Sequence, residues 1–173
     1  RQWVSTHSDT MKLPFICLTT LLTLILLPVA REAPKPLSLF DGKSFEGWEG
    51  DTEKMFRIED GAIVGGSLKE KIPNNAFLTS KKSYKDFVLR LKFKLLGKDP
   101  NAGVQIRSER IPDHHEMIGY QADMGQKYWG CLYDESRRRK VLAQADLKLL
   151  DRIVKPNDWN TYEIRCEGKR VVL

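Results

Sequence analysis

Between Asp86 and Leu96 the chain reads DFVLRLKFKLL, with Phe87, Leu89, Leu91, Phe93 and Leu95 alternating strictly with Val88, Arg90, Lys92 and Lys94. A period of two sends alternate side chains to opposite faces, so this segment predicts a strand with one buried face. The same alternation recurs in GVQIRSE from Gly103 and in GYQADMG from Gly119. It recurs again in TYEIRC and RVVL, on either side of a turn at Glu167-Gly168-Lys169. MFRIEDGAIVGG predicts two short strands around Asp60-Gly61, because glycine tolerates the backbone angles of a tight hairpin. Only DLKLLDRIV, opened by Asp146 as N-cap and closed before Pro156, predicts a helix. Many short strands, frequent turns and almost no helix predict an all-β sandwich.

Period two also assigns faces. In GVQIRSE it groups Gln105, Arg107 and Glu109 against Val104 and Ile106; in GYQADMG it groups Gln121 and Asp123 against Tyr120, Ala122 and Met124. With the apolar sides in the core, the opposite sides form one polar wall. Trp129, Tyr133, Asp134 and Glu135 follow closely in YWGCLYDES. Carboxylates, amides and a guanidinium interleaved with rings suit a sugar, whose hydroxyls need donors and acceptors and whose C–H faces pack on aromatics. A plain solvent-facing sheet is the alternative.

Other motifs point elsewhere. DHHE at Asp113 to Glu116 carries metal-ligating side chains but lacks the spacing of helical zinc sites, so no metal site is assigned there, and a divalent ion elsewhere on the wall stays open. The basic cluster SRRRK, Ser136 to Lys140, reads as a solvated loop with one arginine facing a ligand rather than as a nucleic-acid patch, since no stacking aromatics accompany it. Parity puts Cys166 on the core face with Tyr162 and Ile164 and turns Cys131 away from it, which argues against a disulfide between them. Trp48 and Trp159 lie at strand edges and read as packing residues.

The chain has 173 residues and a net charge of +6, room for one domain with a core. Residues 1–10 precede Met11 and are set aside. Residues 11–30, MKLPFICLTTLLTLILLPVA, have the build of a cleaved secretory signal peptide, which predicts an extracytoplasmic protein, secreted or periplasmic, with no membrane span after cleavage. Residues 31–36 read as a linker, and residues 37–173 as the domain. RVVL reaches Leu173 in mid-strand, which predicts that closing strands are missing and the domain is truncated.

The segments LSLFDGKSFEGW, RIEDGAIVGG, FLTSKKSYKDFVLRLKFKL, NAGVQIRSE, GYQADMG, YWGCLYDESRR and DWNTYEIRCEGKRVVL, in that order, resemble the 3-keto-disaccharide hydrolase domain family. Ala102 stands where the family often has Ser, and Met55 where Trp is common. The resemblance implies a jelly-roll sandwich of the concanavalin A-like type that binds small carbohydrates on a concave sheet, and hydrolysis of glycosides oxidised at C3. A C3 ketone acidifies the C2 hydrogen, so such a site needs a base, a partner for the enolate oxygen and an acid for the leaving group. The expected assignments are Asp123 or Glu116 as base, Arg107 as enolate partner and Glu135 or Tyr133 as acid. Gln105 and Gln121 are expected to grip hydroxyls, with Glu109, Trp129, Tyr133 and Asp134 as further substrate contacts, and no cofactor is expected. The carboxylates could instead form a conventional glycosidase pair, and a non-catalytic sugar-binding module is the alternative function.

Overall fold

The computed structural model describes residues 35–173. The expected signal peptide and residues 1–10 lie outside the described residues. The described chain runs β1 (Trp48–Glu49), β2 (Phe56–Glu59), β3 (Ala62–Gly65), β4 (Thr79–Ser80), β5 (Phe87–Phe93), β6 (Asn101–Arg110), β7 (Met117–Gly125), β8 (Leu132–Glu135), β9 (Lys140–Ala143), α1 (Leu147–Ile153), β10 (Asn160–Glu167) and β11 (Arg170–Val172). One antiparallel sheet has the order β6-β7-β8-β9 and a second has β11-β10-β5, while β1-β4 and β2-β3 form two-stranded ribbons.

The two larger sheets share one core. Ile106 and Ala122 from the four-stranded sheet meet Ile164 and Cys166 from the three-stranded one. Val104, Tyr120 and Leu132 pack against them from the first sheet, and Phe87, Leu89, Leu91, Tyr162 and Val171 from the second. This is an all-β sandwich, and the alternation of β5 and β10 is realised residue by residue, with Ile164 paired to Leu89 and Cys166 to Phe87. The hairpin at Asp60-Gly61 forms as expected. So does α1, where the Asp146 carboxylate accepts from the Lys148 amide at 2.9 Å and fills an otherwise orphan donor.

The alternation of β6 breaks at one place. Its pairing with β7 runs in register from Asn101↔Gly125 to Ile106↔Tyr120, then resumes at Glu109↔Ile118. Two residues, Arg107 and Ser108, therefore oppose the single Gly119, which is a β-bulge. Arg107 adopts φ 49°, a left-handed conformation that costs a non-glycine residue about 1–2 kcal/mol. Its guanidinium offsets that cost by reaching the other sheet: Nη1 donates to Gly168 O at 2.6 Å, and Nη2 to Lys85 O and to Asp86 Oδ1, both at 3.0 Å. Ser108 takes the place on the polar face that strict alternation assigns to Arg107. Beyond the bulge Glu109 pairs with Ile118 and is exposed on the side opposite to Gln105. The expected wall therefore loses Arg107 and Glu109, because one inserted residue inverts the parity.

Asp134 is a second departure. It pairs with Tyr120 and shares that residue's core-facing side. It is fully buried and held by Arg137 Nε at 2.9 Å and by Arg138 Nε. Burial works to raise its pKa, but the hydrogen bonds from the two arginines outweigh it and hold the carboxyl below its ordinary value. The Arg137 guanidinium also lies 4.6 Å from the Tyr120 ring centroid. Two arginines of SRRRK thus serve the fold, and Asp134 is a structural anchor rather than a substrate contact. Cys131 and Cys166 are both buried free thiols. Trp48 donates from Nε1 to Leu39 O at 2.8 Å, consistent with packing.

Removing one partner of a buried ion pair leaves a charge without compensation, at about 3–5 kcal/mol. The double substitution Arg137→Ala and Arg138→Ala, which leaves the fully buried Asp134 carboxylate unpaired, is expected to lose about 3 kcal/mol or more in urea denaturation at pH 7 with an unchanged m-value. A midpoint equal to that of the parent would show that the carboxylate is satisfied without them.

Candidate functional site

On the outer face of β6-β7-β8 a hollow of about 160 Å³ is lined by Asn101, Gln121, Asp123, Tyr128, Tyr133 and Glu135. Register explains the grouping. Gln105, Gln121 and Tyr133 form one cross-strand row, with Asp123 opposite Gly103 on one side of it and Glu135 opposite Gly119 on the other. The two carboxylates are thus four residues apart along the strand direction, roughly 13 Å at the backbone, and both turn over the central row. Glycine floors this arrangement: a Cβ on Gly103 would stand 2.5 Å from Cγ and Cδ of Gln121, and one on Gly119 would collide with the Ser108 hydroxyl.

Asp123 is 3% exposed. Its Oδ1 accepts from Gln121 Nε2 at 2.9 Å. Burial pushes its pKa up to about 6; the Gln121 hydrogen bond opposes the shift and the charge of Glu135 adds to it. Glu135 is itself raised, by burial first and then by the charge of Glu116, against the Ser136 amide and Arg139. Tyr133 is raised by burial, then by Glu135, Tyr128 and Asp123, with Arg139 opposing, so its phenol keeps its proton at neutral pH. The Tyr128 and Tyr133 rings meet edge to face at 6.4 Å.

The expected site residues divide accordingly. Gln121, Asp123, Tyr133 and Glu135 come together in the hollow. Gln105 is on the same face but stands behind Gln121, to which its Nε2 donates at 3.0 Å. Glu116 sits beside Glu135, held by Asn75 Nδ2 at 3.1 Å, with its other carboxylate oxygen buried and without a hydrogen bond; it does not line the hollow. Trp129 packs on Phe93 with ring centroids 6.0 Å apart, and the adjacent Tyr128 takes the ring position in the site. Arg107, Glu109 and Asp134 lie elsewhere, as described above. Asn101 and Tyr128 were missed, although Asn101 begins a strand whose parity places it with Gly103 and Gln105. Arg139 is the arginine of SRRRK whose charge acts on Glu135 and Tyr133.

His114 and His115 stack at 4.3 Å, and His114 Nδ1 accepts from the Glu116 amide at 3.1 Å. No group of three or more His, Cys, Asp or Glu side chains suited to a metal occurs among the described residues, and no helix among them is long and apolar enough to cross a membrane. A larger hollow of about 280 Å³ lies at the β1-β4 ribbon, lined by Trp48, Tyr84, Lys81 and Lys82 among others. It contains a single carboxylate, Glu46, and so lacks the paired acids of the smaller one.

Asp123 has a consequence for stability that can be measured. Its folded pKa, about 6, lies above the unfolded value of roughly 3.9. The folded state therefore binds the proton more tightly, and this group's stabilising contribution is present below pH 4 and lost as pH rises through 6. The loss is about 3 kcal/mol for two pKa units. Asp123→Asn, which keeps the Gln121 contact and removes the charge, is expected to be more stable than the parent at pH 7.5 by about 1–3 kcal/mol, with the gap closing at pH 4. A gap independent of pH in parallel thermal melts would contradict the buried charge.

A family model described as a 3-keto-alpha-glucoside-1,2-lyase-like domain matches residues 35–173. No curated protein matches the chain.

Proposed function

From the premise that the chain belongs to the family of 3-keto-alpha-glucoside-1,2-lyase-like domains, we propose that this hollow cleaves the glycosidic bond of a 3-keto-glycoside by proton abstraction at C2. The observation that carries the reading is Asp123: a buried carboxylate with its pKa near 6, ionised at neutral pH yet basic enough to take a proton. Asp123 removes the C2 hydrogen and the electron pair moves toward the C3 oxygen, giving an enolate. The enolate collapses, the C1–O bond breaks, and the departing oxygen takes a proton. The products are an alcohol and a 3-keto sugar unsaturated between C1 and C2; addition of water across that double bond completes a net hydrolysis.

The remaining side chains fit the other steps. The Tyr133 phenol, kept protonated, donates to the enolate oxygen, the role first expected of Arg107. Glu135, shifted toward holding its proton, donates that proton to the leaving oxygen. Asn101 and Gln121 offer amides to ring hydroxyls, and the Tyr128 ring offers an apolar face. A hollow of about 160 Å³ suits one pyranose unit, so the sugar that carries the ketone occupies it. The substrate is a small carbohydrate outside the cytoplasm, consistent with the expected signal sequence.

Incubation with a 3-keto-glucoside should release free alcohol with kcat/KM rising along an acid limb near pH 6. Asp123→Asn should reduce turnover by about 100-fold or more while remaining folded. Deuterium at C2 should slow the parent reaction by a primary isotope effect, whereas a conventional carboxylate pair acting at C1 would show only a small secondary effect from that label. Tight sugar binding with no release of alcohol would overturn the enzyme reading in favour of a carbohydrate-binding module.

A further inference from the structure

Behind the hollow three side chains form a directed chain of hydrogen bonds. Ser108 Oγ lies 2.7 Å from Gln105 Oε1, Gln105 Nε2 donates to Gln121 Oε1 at 3.0 Å, and Gln121 Nε2 donates to Asp123 Oδ1 at 2.9 Å. All four residues are partly or fully buried. An ionised carboxylate only accepts, so Gln121 must present its NH2 group to Asp123; its oxygen then faces Gln105, which must present its own NH2; the remaining oxygen of Gln105 faces the hydroxyl. The carboxylate thus sets both amides, and the Ser108 hydroxyl, which also has Ile106 O at 3.0 Å, makes its shortest contact, 2.7 Å, with the Gln105 oxygen that closes the chain.

We infer that Gln105 and Ser108, neither of which lines the hollow, are positioning residues that lock the Gln121 amide with its NH2 group on Asp123 and leave the second carboxylate oxygen to the substrate. The bulge is what makes this possible. It brings Ser108 onto the polar face over Gly119, where a side chain at 119 would exclude the hydroxyl. Gly103 clears the floor under Gln121 in the same way. A flexible glutamine would otherwise spend part of its time with its oxygen toward the carboxylate, an orientation that repels the ionised form.

The groups that face Asp123 are consistent with this role. Glu135 and Tyr133 approach from β8 and Tyr128 from the β7–β8 connection. Cys131 carries a thiol whose pKa burial and the Asp123 charge both raise. Tyr162 from β10 places its hydroxyl 3.4 Å from the Asp123 backbone oxygen and is likewise raised, by burial and then by Asp123. None of these is a cation, so the Gln121 NH2 group is the contact that favours the anion.

The inference rests on Asp123 as the base, and its test keeps the two apart. The probe is the Asp123 carboxyl carbon, followed by 13C NMR through a pH titration, alongside the pH profile of kcat/KM on a 3-keto-glucoside. Gln105→Met preserves length and removes both hydrogen-bonding ends. It should move the NMR midpoint and the acid limb upward together, by about one pH unit, with turnover recovering at high pH. Ser108→Ala, which cuts only the outermost link, should shift both in the same direction by less, and it carries the test if Gln105→Met fails to fold. Midpoints unchanged from the parent in the folded variants would overturn the relay. Retained turnover in Asp123→Asn would overturn the base assignment instead, and the NMR midpoints would still decide the relay.

Discussion

The bulge at Arg107 and Ser108 sets which side chains share the hollow. Two residues of β6 oppose one of β7, so the long cation turns toward the second sheet while a short hydroxyl faces the polar side. Arg107 then ties β6 to the start of β5 and to the β10–β11 turn, which holds the sandwich edge closed. Ser108 starts the chain of hydrogen bonds that ends on Asp123. One local irregularity thereby serves a structural clamp and a candidate active site at once, and the strain of a left-handed arginine is met by four hydrogen bonds to the opposite sheet.

Two buried aspartates show how environment divides identical side chains. Asp134 and Asp123 lie on neighbouring strands and are 0% and 3% exposed, yet their pKa values move in opposite directions. Asp134 receives two guanidiniums and stays a fixed anion, useful as an anchor and useless as a base. Asp123 receives one amide donor and a nearby carboxylate, so burial prevails and its affinity for protons rises. The chemistry follows from which face of the sheet each residue occupies, and therefore from register.

Much of this was legible in the sequence. The alternation in DFVLRLKFKLL and TYEIRC gave strands that pair with each other and bury the expected faces, because nothing interrupts their ladder. Gln121, Asp123, Tyr133 and Glu135 converge because β7 and β8 pair without irregularity through those positions. Arg107 and Glu109 did not follow, since a bulge leaves no mark on hydrophobic periodicity when the inserted residue is polar. Asp134 was grouped with Glu135 by proximity, although adjacent strand residues face opposite ways; parity already separated them. The exchange of Trp129 for Tyr128 arises in the Gly-containing connection before β8, where period two does not apply.

Turning Arg107 out of the wall also has a chemical logic. A guanidinium on the same face would stabilise the ionised carboxylates of the hollow and depress their pKa values, as Arg137 and Arg138 do for Asp134. A carboxylate so held is a weak base toward a C–H bond, even one acidified by an adjacent ketone. Among the described residues, the main groups that act on Asp123 are Gln121 and Glu135, neither a cation, whereas the positive charge of Arg139 acts on Glu135 and Tyr133. Charge is thus kept from Asp123, the proposed base, and placed near Glu135 and Tyr133, the groups proposed to meet developing negative charge on oxygen, as the proposed proton abstraction and elimination would require.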